Sequence, residues 1–226
     1  MAKRAEGTTE KLLASARREF SRHGFANASL RTIALDSGVT THTVYTRFGS
    51  KEGLFAALVG PAAGKFMETL MAGYDRYFDM GNESIREREL FSHSVYEELV
   101  DLMFDNRDAF MLLLDASAGT AFEHYVEKVA EQPCRRIYAQ SDVLGMPLDD
   151  DQRLLVHVLT RGFFDGVFET LRHGLDRRSA QAFVSELISF YEGGLAKASL
   201  GQAAGFGGLV KELEDRKSTR LNSSHP

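Results

Sequence analysis

Residues 38–51 read Gly-Val-Thr-Thr-His-Thr-Val-Tyr-Thr-Arg-Phe-Gly-Ser-Lys. Gly38 suits the end of a preceding helix, where the backbone turns left-handed and a Cβ would clash. Thr40 follows as an N-cap, its hydroxyl available to the free amides of the next turn. Between Thr40 and Gly49 there is room for about two helical turns. Val44 and Phe48, four apart, give that helix one buried side. Thr41, His42, Thr43, Tyr45, Thr46 and Arg47 occupy the rest, all of them hydrogen-bonding or cationic. A helix this short is not stable alone, so its covering of donors reads as its purpose. Major-groove recognition needs such a surface: exposed side chains on a rigid helix that fits the groove.

The preceding segment completes a pair. Ser29 caps a helix over Leu30 to Ser37, with Leu30, Ile33 and Ala34 inward, and Gly38-Val39 turns the chain into the second helix. The result is a helix-turn-helix with glycine in its tight turn. Ser-Leu-Arg-Thr-Ile-Ala at 29–34, Gly-Val-Thr at 38–40, Thr-Val-Tyr at 43–45 and Phe-Gly-Ser-Lys-Glu-Gly-Leu at 48–54 resemble the N-terminal signature of TetR-family transcriptional regulators. The likeness runs from about Thr8 to Leu58. It implies an all-α chain: an N-terminal three-helix head carrying the helix-turn-helix, over residues 1–52, and a larger helical ligand-binding and dimerisation body over 53–200.

Carried over motif by motif, the resemblance places Arg31 as a base contact, since arginine grips guanine with two bonds. Thr41, His42 and Thr43 meet base edges or adjacent phosphates. Ser29, Tyr45, Arg47 and Lys51 resemble residues that fix register on the backbone without reading sequence. Two positions depart from the family pattern. His42 stands where glycine, alanine or proline is common, which leaves specificity open, and Arg47 stands where histidine is common.

Charge divides the chain in the same place. Residues 1–52 hold nine Lys and Arg against five Asp and Glu, a balance of +4, and the whole chain carries −5, so the remainder carries −9. A basic head on an acidic body suits a head that meets a polyanion. The single cysteine, Cys134, excludes an intramolecular disulfide and a cysteine metal cluster, and fits a reducing, cytoplasmic setting. The opening residues lack the apolar run of a signal peptide, and no stretch reads as the ~20 apolar residues of a membrane span.

Outward from the helix-turn-helix, Met1 to Gly7 reads as a flexible arm carrying Lys3 and Arg4. Thr8 or Thr9 caps a first helix to about Arg22, with Leu12, Leu13, Ala16 and Phe20 inside and His23-Gly24 as its end. Phe25 plugs the base of the head. Ser50 caps a fourth helix. Glu52 complements that helix's dipole, whereas Lys51 does not and is expected to find a partner outside the chain. Gly60-Pro61 is expected to interrupt or bend this helix, with helical spacing resuming from Gly64 to Phe78. Further helices are expected over Ser84 or Ile85 to Asn106, around Phe110-Met-Leu-Leu-Leu as an all-round apolar central helix, and over Thr120 to Val143 with a kink at Pro133. Two long ones close the body, about Asp150 to His173 and Ser179 to Ala198, linked by Gly174-Leu-Asp.

Those last two carry stripes: Leu155, Leu159, Gly162, Phe163, Gly166, Val167 and Thr170 on one, Phe183, Val184, Leu187, Ile188, Tyr191 and Leu195 on the other. Such stripes serve equally as core within one chain or as a four-helix interface doubled about a two-fold axis. The resemblance favours the homodimer, through Leu155, Leu159, Gly162, Phe163, Gly166, Phe183, Leu187 and Tyr191, with Gly162 and Gly166 admitting a close partner helix. By analogy it also implies a small-molecule effector among Phe78, Phe91, Met103, Phe104, Phe110, Met111, His124 and Tyr125. Each of these also reads as plain core.

No Gly-x-Ser-x-Gly, phosphate-binding glycine loop or paired metal-ligand histidines appears, and Cys134 beside Arg135 and Arg136 reads as a buried, inert thiol. No catalytic residue, metal or cofactor is expected. The function implied is a ligand-responsive dimeric repressor on near-palindromic double-stranded DNA. The alternative is a helical dimer acting through protein partners with a vestigial head. Residues 201–226 turn glycine-rich, and Asp215 to His225 resembles a translated sequencing adapter, which implies that 215–226 is an artefact.

Overall fold

The computed structural model describes residues 2–80, 83–143, 145 and 147–200. The readings of residues 201–226, and of the side chains of Lys3, Arg4 and Leu195, lie outside the described residues. Among those described there are nine helices: α1 Ala2–Asn27, α2 Leu30–Asp36, α3 Thr41–Phe48, α4 Lys51–Asp79, α5 Ile85–Asp105, α6 Arg107–Asp115, α7 Tyr125–Val143, α8 Asp150–Arg172 and α9 Arg177–Leu200. The chain forms two compact units. One holds residues up to Met67 together with Leu102–Tyr125; the other holds Glu68–Asp101 and the residues from Val126 on.

In the first unit α1 begins at Ala2, so residues 2–7 are helical and not a free arm. Ala2, Lys3, Arg4, Ala5 and Glu6 all have high helix propensity, and the one glycine among the first residues, Gly7, is tolerated at a cost of about 1 kcal/mol. The helix breaks where expected, at Gly24, whose φ of 69° and ψ of 166° leave the helical region. Leu12, Ala16 and Phe20 are fully buried with Ile33, Val44, Leu54 and Phe55. Phe25 does plug this core: its ring stacks on Phe20 at 5.9 Å and meets Phe55 edge-on at 5.5 Å. Its amide donates to Ala116 O at 2.9 Å. The short helix α6 completes the unit, burying Phe110, Leu112 and Leu113.

α4 runs through Gly60-Pro61 without interruption. A proline ring in mid-helix costs about 3 kcal/mol. Phe55, Val59, Phe66 and Leu70 are fully buried around it, each contributing about 1.5–3 kcal/mol, so packing overrides the breaker. The same holds at Pro133, which lies inside α7. By length and composition α4 is also apolar enough to cross a membrane, contrary to the sequence expectation, yet its Leu54, Phe55, Val59, Phe66 and Leu70 are core.

The expected start of α7 at Thr120 is corrected to Tyr125. Residues 117–124 form turns because their polar groups bond locally: Thr120 Oγ1 donates to Ser117 O at 2.7 Å, and the Glu123 carboxylate accepts from Gly119 N at 3.1 Å. Short polar side chains that compete for the backbone in this way keep a helix from starting.

In the second unit α8 opens on a capping box, the Asp149 carboxylate accepting from Gln152 N while Gln152 Oε1 accepts from Asp149 N. Asp176 caps α9 by accepting from Ser179 N at 2.8 Å, which starts that helix two residues before its expected position. Gly174, with φ 68°, makes the turn between them. Phe164, Val167, Phe168, Leu171, Ala180, Val184 and Ile188 are buried between α8, α9 and the rest of this unit.

Candidate nucleic-acid interface and an apolar cavity

The helix-turn-helix is held by its caps. Ser29 Oγ accepts from Thr32 N at 3.3 Å, and its own amide donates to Glu19 Oε1 at 2.9 Å, tying α2 to α1. Ser15 Oγ, buried, donates to Ile33 O at 3.1 Å. Gly38 and Gly49 take φ of 71° and 74°, the left-handed values that bracket α3. Thr40 Oγ1 accepts from Thr43 N at 3.2 Å and meets Thr43 Oγ1 at 3.0 Å. Val44 anchors α3 at 0 % exposure, while Tyr45 beside it is 53 % exposed.

The eight predicted contact residues separate into two groups. Arg31, Thr41, His42 and Tyr45 are exposed, and their side chains have no partner among the described residues. On α3, Thr41 and Tyr45 are four apart and His42 three from Tyr45, so all three share one face. The others are already engaged. Ser29 and Thr43 belong to the caps, and Arg47 donates to Thr9 Oγ1 on α1. Lys51 corrects an expectation: its ammonium donates to Ala26 O at 3.1 Å and lies 4.8 Å over the Phe25 ring, so it has an internal partner.

Two further cations of this unit are spent on ion pairs, Arg17 with Asp108 at 3.0 Å and Arg18 with Asp36. The hydrogen bond from Arg18 holds the Asp36 carboxyl below its ordinary range. Asp36 already stands in the +4 balance of residues 1–52, so only Asp108, brought against Arg17, adds negative charge that the sequence count left out.

The second unit contains a partly open apolar cavity of about 200 Å³ lined by Gly73, Tyr74, Tyr77, Phe91, Ser92, Val95, Tyr96, Ile137, Val156, Leu159, Thr160, Phe163, Ile188 and Tyr191. Of the eight residues proposed from sequence as effector contacts, Phe91 alone lines it. Phe110 packs against Phe66 at 5.5 Å and Tyr125 at 6.4 Å, and the Tyr125 hydroxyl donates to Ala63 O at 3.2 Å. These are core contacts of the first unit. Met103 is fully buried, Phe104 lies under the Arg107 guanidinium at 5.7 Å, and Phe78 lies under Arg136 at 4.8 Å. Met111 is half-buried and His124 is exposed in the turn before α7. Tyr191 lines it too, although the sequence reading gave it to the dimer, and Tyr74, Tyr77 and Tyr96 carry a signal of their own: Gly73, Tyr74 and Tyr77 and then Phe91, Ser92, Val95 and Tyr96 repeat at helical spacing.

The α8 and α9 stripes also divide. Phe163 is buried, Leu159 and Tyr191 line the cavity, and a Cβ on Gly166 would come within 3.0 Å of Leu187 Cδ2. A Cβ on Gly162 would meet Tyr191 Oη at 3.1 Å. Both glycines thus admit α9 of the same chain. Leu155 and Phe183 stay exposed, joined by Leu154, Val158 and Phe190, the last at 75 %. Cys134 is buried against Leu148 and Val156, and burial pushes its thiol up, which suits an inert side chain. No group of three His, Cys, Asp or Glu among the described residues is placed to hold a metal.

Residues 12–58 match the sequence model of the bacterial regulatory proteins of the tetR family. No curated protein sequence matches the chain. Among solved structures, a TetR-like transcriptional regulator from Rhodococcus sp. RHA1 is similar at a TM-score of 0.53 and 22% identity, covering 83% of this chain and 96% of its own. A transcriptional-regulator candidate from Pseudomonas aeruginosa PAO1 is similar at 0.51 and 20% identity, covering 84% and 92%. At these identities the two structures speak for the fold.

Proposed function

We propose, on the premise that this chain belongs to the TetR family of bacterial transcriptional regulators, that it is a cytoplasmic homodimeric repressor. It binds a near-palindromic operator through residues 1–52 and releases it on binding a small molecule in the remainder of the helical chain. The observation that carries the DNA reading is the bare face of α3, where Thr41, His42 and Tyr45 are exposed and have no side-chain partner among the described residues, with Arg31 exposed on α2. Arg31 reads a base; Thr41 and His42 reach base edges or adjacent phosphates; Tyr45 and the outer side of Arg47 rest on the backbone. One head spans few base pairs, so two heads about a helical turn or more apart supply the specificity.

The exposed apolar residues Leu154, Leu155, Val158, Phe183 and Phe190 support a second copy of the chain as partner, since exposed apolar side chains on both helices of one hairpin suit an isologous interface. By linkage, an effector that prefers the DNA-incompetent arrangement weakens DNA binding by the factor DNA weakens its own.

The test is a footprint on the DNA upstream of the gene. The wild-type chain protects two symmetric half-sites, and a Thr41→Glu, His42→Glu double variant protects none. Carboxylates at a helix N-terminus do not disturb the helix, so the loss reports repulsion from DNA. Equal retention of unrelated DNA by both proteins defeats the reading.

A further inference from the structure

The cavity of the second unit has a lining without a single Asp, Glu, Lys, Arg or His. A carboxylate or ammonium brought into such a lining loses water and gains no counter-charge. The interior therefore selects against ions. Its size sets a second limit. An apolar cavity of ~150 Å³ accommodates a benzene, so about 200 Å³ takes one or two fused rings and little more.

The walls set a third limit. Tyr96 meets Phe163 at 4.9 Å and 67°, and Phe163 meets Tyr191 at 5.3 Å and 89°. Rings crossed in this way offer both edges and faces to a flat aromatic guest. One polar feature stands out. Among the described residues the Tyr74 hydroxyl has a single hydrogen bond, to Tyr96 Oη at 3.4 Å, well beyond the ~2.7–2.8 Å usual between hydroxyls. Burial pushes the Tyr74 phenol up to about 12, so at neutral pH it keeps its proton. A ligand oxygen at ordinary distance would give that O–H a shorter bond than it now has.

We infer that this cavity binds a neutral compound of one or two fused aromatic rings bearing one hydrogen-bond-accepting oxygen, with the Tyr74 hydroxyl as donor. As the effector site it rests on the ligand-responsive reading above. As a binding site it does not.

Calorimetric titration of the full chain with four naphthyl probes tests it: methyl naphthyl ketone, ethylnaphthalene, naphthoate and naphthylmethylammonium. The ketone is expected to bind one per chain, and the two ions about a hundredfold more weakly. Tyr74→Phe is expected to weaken the ketone roughly tenfold and leave ethylnaphthalene unchanged, a control a merely misfolded variant fails. Leu159→Trp, which fills the space from a half-buried wall position, is expected to abolish both. Ions that bind as well as the ketone, absence of ketone binding, ketone binding that survives Leu159→Trp, or a Tyr74→Phe chain with unaltered ketone affinity each overturns the assignment. No DNA enters these titrations. A chain that binds the ketone but no operator defeats the regulatory reading alone, and one that binds operator but no ketone defeats the ligand assignment alone.

Discussion

The Lys51 ammonium donates to the Ala26 carbonyl at 3.1 Å, and so ties the start of α4 to the end of α1. A cation at a helix N-terminus opposes the dipole, and this bond, with the Phe25 ring beneath it, offsets that. Lys51→Ala is therefore expected to lower the head's stability by about 0.5–1 kcal/mol, read in a thermal melt. Arg31, with no partner among the described residues, behaves differently. Arg31→Ala is expected to leave the melt unchanged and to lose about 1–3 kcal/mol on the preferred site only, read by competition between specific and random duplexes. Equal losses on both duplexes would remove Arg31 from base recognition.

Thr40→Ala removes the cap that accepts from Thr43 N. With only eight residues in α3, there is little else to hold its first turn, and a loss of about 1 kcal/mol is expected. Urea denaturation followed by circular dichroism measures it. Thr40→Ser should recover most of the loss.

Phe110→Ala separates a core residue from a ligand contact. Phe110 is fully buried against Phe66 and Tyr125, so truncation is expected to cost about 3–5 kcal/mol. A urea midpoint unchanged from wild type would return Phe110 to the list of effector contacts.

Val158→Arg places a charge among exposed apolar side chains of α8, where Val158 itself is 55 % exposed. In an isolated chain this surface change is nearly neutral; across a dimer interface it leaves an unpaired charge buried. Sedimentation velocity is expected to show wild type as dimer and the variant as monomer. A dimeric variant would place the interface elsewhere.

Two pH limits follow from the shifted groups. Glu87, held low mainly by the Ser84 backbone amide, Asp36, held low mainly by Arg18, and Asp176, held low mainly by the Ser179 amide, all have folded values below their ordinary 4.5 and 3.8. Their contribution is present at neutral pH and is lost as pH falls below about 4.5. Tyr74 is opposite in sign: burial raises it from 10.0 to about 12, so its contribution is present below pH 10 and is lost as pH rises from 10 towards 12. Melting temperature against pH should fall at both ends. In an alkaline titration of tyrosinate absorbance, Tyr74→Phe should remove a late-ionising step.

What the sequence determined alone was local. Ser29, Gly38, Thr40, Gly49 and Asp149 each act on amides or dihedrals within a few residues, so the two short helices, their turn and the start of α8 can be read without knowing what packs on them. The exposed, donor-covered face of α3 followed from the same spacing.

The tertiary structure decided which apolar residues are core and which line a space. Phe110 and Tyr74 sit on equally apolar helix faces, and nothing in their neighbours along the chain distinguishes a filled interior from a hollow one, since a cavity is a property of several helices at once. It also decided that Lys51 and Arg17 are paired, because Ala26 and Asp108 come close to them only through the fold. Pro61 belongs here too: a breaker by local rule, it lies within a continuous helix because buried neighbours outweigh the bond it removes.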